Sequence, residues 1–172
     1  MTACIALYVL GVPLAVLWSL RAFGRSPWGA VLAVPLVYGM NYLGGFANML
    51  VAAPFFVLAI PVFHRALVAP SLPRILQAAA LFVVVFLLHG HVYLWLGVLT
   101  IGTTLVLAGA RVLQDPRAAG RVLGSALLVA LPSLLLFARW YRRTFSAGHE
   151  QGSHLTSMTG VESGFGATFH DP

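Results

Sequence analysis

Residues 75–110 read ILQAAALFVVVFLLHGHVYLWLGVLTIGTTLVLAGA and contain no Asp, Glu, Lys or Arg. A helix that crosses a bilayer needs about 20 mostly apolar residues, so this stretch is too long for one ordinary span. Its polar cluster is His89-Gly90-His91, and a break there leaves two apolar runs, 75–89 and 92–110. The stretch therefore predicts two membrane helices joined by a reversal at the two histidines.

The remainder of the chain has a similar composition. Of its 172 residues, 60% are hydrophobic and 8% are charged, whereas a soluble domain carries about 25% charged residues. So few charges cannot cover a water-soluble surface, and apolar residues occur over almost the whole length. We therefore expect a protein whose solvent is lipid.

Six apolar runs follow one another along residues 1–141, separated by segments rich in Arg, Gly and Pro. The predicted spans are 4–20, 28–43, 46–63, 75–89, 92–110 and 122–138. From residue 142 the composition changes to Gly, Ser, Thr and His without apolar periodicity, which is typical of a flexible tail. The predicted fold class is an all-α polytopic transmembrane bundle with a flexible polar tail at 142–172.

All ten basic residues are arginines, and they lie between the apolar runs. They form no basic stripe interleaved with exposed aromatics, so nucleic acid is not an expected partner. The loops after the first, third and fifth spans hold Arg21, Arg25, Arg65, Arg74, Arg111, Arg117 and Arg121. By the positive-inside rule, these loops are cytoplasmic and both termini lie outside.

The orientation of the tail has an alternative. Arg139, Arg142 and Arg143 follow the sixth span and would then lie on the outer face. A re-entrant segment at Pro132 would place the tail in the cytoplasm instead.

Polar residues gather at the two reversals on the predicted outer face. They are Tyr38, Asn41, Tyr42, Asn48, His89, His91 and Tyr93. One interpretation is that they cap helix ends and reach interfacial water. The other is a binding site for a polar headgroup or sugar phosphate, in which Asn and His form hydrogen bonds and Tyr offers a stacking surface.

The predicted spans contain no Asp or Glu that could transfer a proton. We therefore assign no catalytic residue, and we do not expect the chain to act as an enzyme on its own. His89 and His91 could supply two metal ligands, but no third lies nearby in sequence. His149 and His154 are five residues apart, whereas a zincin helix places its histidines four apart. No metal or other cofactor is expected.

Residues 41–50, NYLGGFANML, are followed by Pro54, an Arg-bearing loop and a hydrophobic run that ends at His89. Over roughly 28–110 this arrangement resembles bacterial polytopic proteins related to GT-C-fold glycosyltransferases. The resemblance implies a multispan inner-membrane fold, a polyprenyl-phosphate sugar donor and chemistry at the outer face. The catalytic carboxylate of that family, in an early outer loop, has no counterpart, because the first acidic residue is Asp115.

These observations lead to a functional expectation with alternatives. The chain is expected to be a fragment or truncated relative of a lipid-linked sugar transferase in the bacterial inner membrane, contacting lipid or glycan at its outer face. Its expected partners are membrane lipids, a polyprenyl-phosphate-linked sugar and other membrane subunits. A transporter or channel subunit is one alternative, since several prolines could break helices. A small structural or assembly subunit of a membrane complex is the other.

Overall fold

The computed structural model of the protein describes residues 2–37 and 47–166, with side chains described for 3–35 and 49–143. Every element in these ranges is helical, which confirms the all-α fold class. The elements are α1 (Thr2–Ala22), a 3₁₀ helix (Pro27–Leu32), α2 (Ala33–Val37), α3 (Ala47–Val68), α4 (Leu72–Leu88), α5 (Gly90–Val112) and α6 (Pro116–Gly166). The chain divides into two compact units, Met1–Leu134 and Leu135–Pro172, and the division falls within α6.

Four helical segments are long and apolar enough to cross a membrane. They are Ala3–Ala22, Met49–Val68, Gly90–Val112 and Pro116–Arg143. The apolar helix α4 has 17 residues, or about 25 Å at about 1.5 Å per residue, close to the short limit for a hydrocarbon core of about 30 Å. Such helices are typical of an integral membrane protein.

The predicted second span, 28–43, differs from what the structure describes. Its first part is the 3₁₀ helix Pro27–Leu32, and α2 adds only five residues of α-helix. Pro35, within the predicted span, lacks a backbone N–H, which weakens a regular α-helical ladder here. Residues 38–43 lie outside the described ranges, so six continuous spans are not observed.

Helices α1 and α3 run parallel. Near their N-terminal ends Tyr8 packs against Leu50. Further along, the Ser19 hydroxyl donates to the Val57 carbonyl oxygen at 3.3 Å. Because the contacts advance in the same direction on both helices, their N-terminal ends lie at the same end of the bundle.

Helix α5 is antiparallel to its neighbours α4 and α6. The rings of Phe86 and Tyr93 lie 5.3 Å apart across the α4–α5 reversal. The Tyr93 hydroxyl donates to the Ser133 hydroxyl oxygen of α6 at 3.0 Å. The N-terminal ends of α3 and α5 meet where Leu50 and Val92 line one cavity, so α5 is parallel to α3.

Two ends of the bundle are thereby defined. The histidine end carries His89 and His91, with the N-terminal ends of α1, α3 and α5. The arginine end carries the C-terminal ends of these helices and the start of α6. Its arginines are Arg21, Arg25, Arg65, Arg74, Arg111, Arg117 and Arg121. The structure therefore gathers at one end the arginines that the sequence assigned to three loops.

The segment predicted to be a polar tail, 142–172, is helical as far as Gly166. Pro132 lies inside helix α6, which extends to Gly166, so the described chain has no break in helical structure at Pro132. The helix also passes through Gly148 and Gly152. An interior Gly costs about 1 kcal/mol, but adding a residue to an existing helix gains one further hydrogen bond. The flexibility of 142–172 stays a prediction, and residues 167–172 lie outside the described ranges.

Candidate functional site

His89 is the single residue that reverses the chain between α4 and α5. Its backbone is extended, with φ −161° and ψ 110°, and its N–H donates to the Val85 carbonyl at 3.0 Å. Its side-chain Nδ1 accepts the Val92 N–H at 3.4 Å. This bond caps α5, because the first N–H groups of a helix have no partner within it. In the neutral imidazole, the proton then resides on Nε2.

His91 lies beside His89 in the first turn of α5. The two ring centroids are 6.1 Å apart in an edge-to-face arrangement. His91 is exposed, and a side chain added at Gly90 would meet nothing within 4 Å. The structure therefore brings together two of the predicted site residues.

Tyr93 has a different environment from these histidines. Its side chain is only 6% exposed, and its hydroxyl donates to Ser133, whose own hydroxyl donates to the Ala130 carbonyl at 2.9 Å. The residue thus ties α5 to α6 inside the bundle. The sequence contains a pattern that indicates this burial, because Tyr93, Leu96 and Thr100 follow helical spacing along one buried face.

The other predicted site residues are only partly placed. Tyr38, Asn41 and Tyr42 lie outside the described ranges. Asn48 belongs to the first turn of α3, so its backbone lies at the histidine end, but its side chain is outside the described set. Their roles stay predictions.

An apolar cavity of about 200 Å³ lies near the histidine end, between α1, α3 and α5. We call it the histidine-end groove. It is lined by Tyr8, Met49, Leu50, Ala53, Phe56, Val92 and Trp95. His91 lies four residues before Trp95 and so occupies the same side of α5, one turn nearer the end of the bundle. The sequence does not predict this groove, because its walls come from three helices and no local pattern specifies how they pack.

A second cavity, of about 240 Å³, lies between α3, α4, α5 and α6. We call it the mid-bundle groove. Its lining residues are Phe63, Phe82, Thr100, Ile101, Thr104, Leu105, Leu123, Ala126, Leu127 and Ala130. The threonine hydroxyls donate to their own helix, Thr100 to Leu96 at 2.8 Å and Thr104 to Thr100 at 2.7 Å. Because both hydroxyl groups donate to backbone carbonyls, the surface of the groove is essentially apolar.

The arginine end has little negative charge to balance it. Among the described side chains Asp115 is the sole carboxylate, and it lies 3.5 Å from Arg121 in an exposed ion pair. The Arg65 guanidinium lies 5.1 Å from the centre of the Trp18 ring, and Arg74 donates to the Ala69 carbonyl at 2.6 Å. The local electrostatic potential is therefore positive.

Comparison with known proteins adds no relative. No protein family, curated protein or solved structure matches the chain. Over the described residues the protein is helical, with four helices long and apolar enough to cross a membrane and with a histidine pair near an apolar groove.

Proposed function

We propose that the chain is a multispan protein of the bacterial inner membrane that binds a polyprenyl-phosphate-linked sugar at its histidine end, as a non-catalytic relative of the membrane core of lipid-linked sugar transferases. The observation that carries this proposal is the position of the histidine-end groove beside the His89 and His91 pair. An apolar groove next to hydrogen-bonding side chains fits a ligand with a hydrocarbon chain and a polar head.

The groove and the histidines would contact different parts of that ligand. The groove offers apolar side chains to the isoprenoid chain, and Trp95, which is 65% exposed, has the amphipathic ring typical of the membrane interface. His89 Nε2 and His91 are available to donate hydrogen bonds to phosphate or sugar oxygens. The space beside Gly90 leaves room for the polar head.

Six crossings and an outward-facing histidine end belong to this proposal. Because α1 and α3 are parallel, the chain must return to the histidine end between Ala22 and Ala47, which supports a further crossing there. The arginines then lie on the cytoplasmic side by the positive-inside rule. The binding end faces outward, where lipid-linked sugars would be available.

The proposed role is binding because the described spans offer no carboxylate to act as a general acid or base. Proton transfer in a sugar-transfer reaction would then require a group from outside these spans. The chain's own contribution would be to hold the lipid-linked sugar at the outer face.

Photocrosslinking tests the proposal. The protein in phosphatidylcholine nanodiscs is exposed to a polyprenyl phosphate with a diazirine on the isoprenoid unit nearest the phosphate, and crosslinked peptides are mapped. We expect crosslinks at residues 49–56 and 89–95. Ala53→Phe, which fills the groove, should reduce them on the order of fivefold, about 1 kcal/mol of binding free energy.

The matched control is Ala80→Phe, at an exposed alanine of α4 outside the groove. It should leave the crosslinks unchanged. Crosslinks spread evenly over all lipid-facing helices, or a pattern unaffected by Ala53→Phe, would contradict binding in the groove.

A second candidate function is an assembly subunit of a membrane complex. Five glycines on α5 and α6 have nothing within 4 Å of an added Cβ, namely Gly97, Gly102, Gly109, Gly120 and Gly124. Small residues let membrane helices approach closely, and no described residue of this chain fills the space beside them. After extraction in a mild detergent, co-purification with a larger membrane protein would favour this role, and a monomer would oppose it.

A further inference from the structure

We propose that the mid-bundle groove is a binding site for an anionic phospholipid, with an acyl chain in the groove and the phosphate held at the arginine end by Arg111. This site is separate from the histidine-end groove and does not depend on the function proposed for it. It requires only that the helices span a membrane.

The groove has the apolar composition that an acyl chain needs. Its lining extends from Ala130 and Thr100 toward Phe63 and Leu123 near the arginine end. Phe63 and Leu123 each lie two residues from an arginine in sequence. The apolar lining therefore extends from the middle of the bundle toward its positively charged end.

The interior of the groove selects for hydrocarbon. Its two threonine hydroxyls are already bonded to backbone carbonyls of α5. Among the described residues, no buried side-chain oxygen or nitrogen lacks a hydrogen-bond partner. A polar ligand group would lose its hydrogen bonds to water on entering the groove. No unpaired polar side chain among the described residues would replace them.

Arg111 is positioned to bind the phosphate. Thr104, Ala108 and Arg111 follow one another at helical spacing along a single side of α5, and Thr104 lines the groove. Arg111 lies six residues beyond Leu105, about 9 Å along the helix axis. A long Arg side chain can bridge part of this distance while its apolar stem stays against the helices.

The charge around Arg111 favours an anionic lipid over a zwitterionic one. Arg111 is partly buried, and the one described carboxylate of the chain, that of Asp115, is paired with Arg121. No described carboxylate therefore forms an ion pair with Arg111. Each basic residue near a membrane surface contributes about 1 kcal/mol of attraction to anionic lipid, and a guanidinium can bind phosphate oxygens through two parallel hydrogen bonds.

Lipid photocrosslinking with two headgroups tests this site. Nanodiscs are formed with phosphatidylglycerol or phosphatidylcholine that carries the same diazirine-labelled acyl chain. We expect phosphatidylglycerol to give more crosslinks at residues 100–105 and 123–130, by on the order of fivefold. Arg111→Gln should reduce the phosphatidylglycerol signal to the phosphatidylcholine level and leave the latter unchanged.

Arg117→Gln is the matched control, because Arg117 is an exposed arginine at the same end of the bundle. It should keep most of the preference for phosphatidylglycerol. Ala126→Phe, within the groove, should reduce the crosslinks of both lipids there, with the fold checked by thermal stability. Equal labelling by the two lipids in the unmodified protein, or a preference that survives Arg111→Gln, would overturn the proposal.

Discussion

A cysteine at Gly90 should react with a membrane-impermeant maleimide in intact cells, whereas cysteines at Ser26, Ser71 and Gln114 should react only after the membrane is opened. All four positions are exposed, and the substitutions are made in a Cys4→Ala background. Gly90 belongs to the histidine end, and the other three positions belong to the arginine end. The contrast should be close to all or none, because an impermeant reagent reaches one face of the membrane.

Ser26 and Ser71 together test the number of crossings. Ser26 follows α1 and Ser71 follows α3, and α3 crosses once between them. If both react from the same side, residues 27–46 must contain a second crossing, which gives six in all. Labelling of Ser26 together with Gly90 would leave five crossings. Labelling of Gln114 in intact cells, with Gly90 protected, would invert the orientation and place the histidine end in the cytoplasm.

The hairpin at 75–110 could be predicted because its signals are local. A charge-free apolar run interrupted by His89-Gly90-His91 has one place to reverse, and the structure ends α4 at Leu88 and begins α5 at Gly90. The predicted span begins at residue 75, after Pro73, whereas helix α4 begins at Leu72. Proline is tolerated in the first turn of a helix, where its missing N–H would have no intrahelical acceptor.

The third predicted span also differs from its helix at one end. The predicted span ends at residue 63, before His64 and Arg65, whereas helix α3 continues to Val68. The Arg65 guanidinium lies over the Trp18 ring of α1, and a long Arg side chain can keep its charge near water while its stem lies on apolar surface. A hydropathy pattern does not record such a partner on another helix.

The candidate site was less predictable than the helices, because its parts depend on packing. The sequence places Tyr93 with the histidines as a polar residue near a reversal, but its hydroxyl donates a hydrogen bond to Ser133, 40 residues away. The two grooves each combine residues from three or four helices. Their existence follows from helix directions and side-chain volumes, which the sequence specifies only through the whole fold.

Replacing Ala78 by Leu should destabilise the protein by about 1 to 3 kcal/mol, the usual cost of overpacking a close-packed site. Ala78 has no exposed surface and lies on α4, which packs against both α3 and α5. Ala and Leu are both good helix formers, so the loss would come from steric conflict between helices and not from helix propensity. The thermal midpoint in a mild detergent should fall by several degrees.

Ala80→Leu provides the control, because it makes the same change two residues away, at an exposed position of the same helix. A larger apolar side chain facing lipid or detergent meets no fixed neighbour, so this variant should match the unmodified protein. Equal stability of the two variants would mean that α4 is not packed as described. Phe82, one turn beyond Ala78, lines the mid-bundle groove. If Ala78→Leu also removes the preference for phosphatidylglycerol while Ala80→Leu preserves it, the packing of α4 sets the shape of that groove.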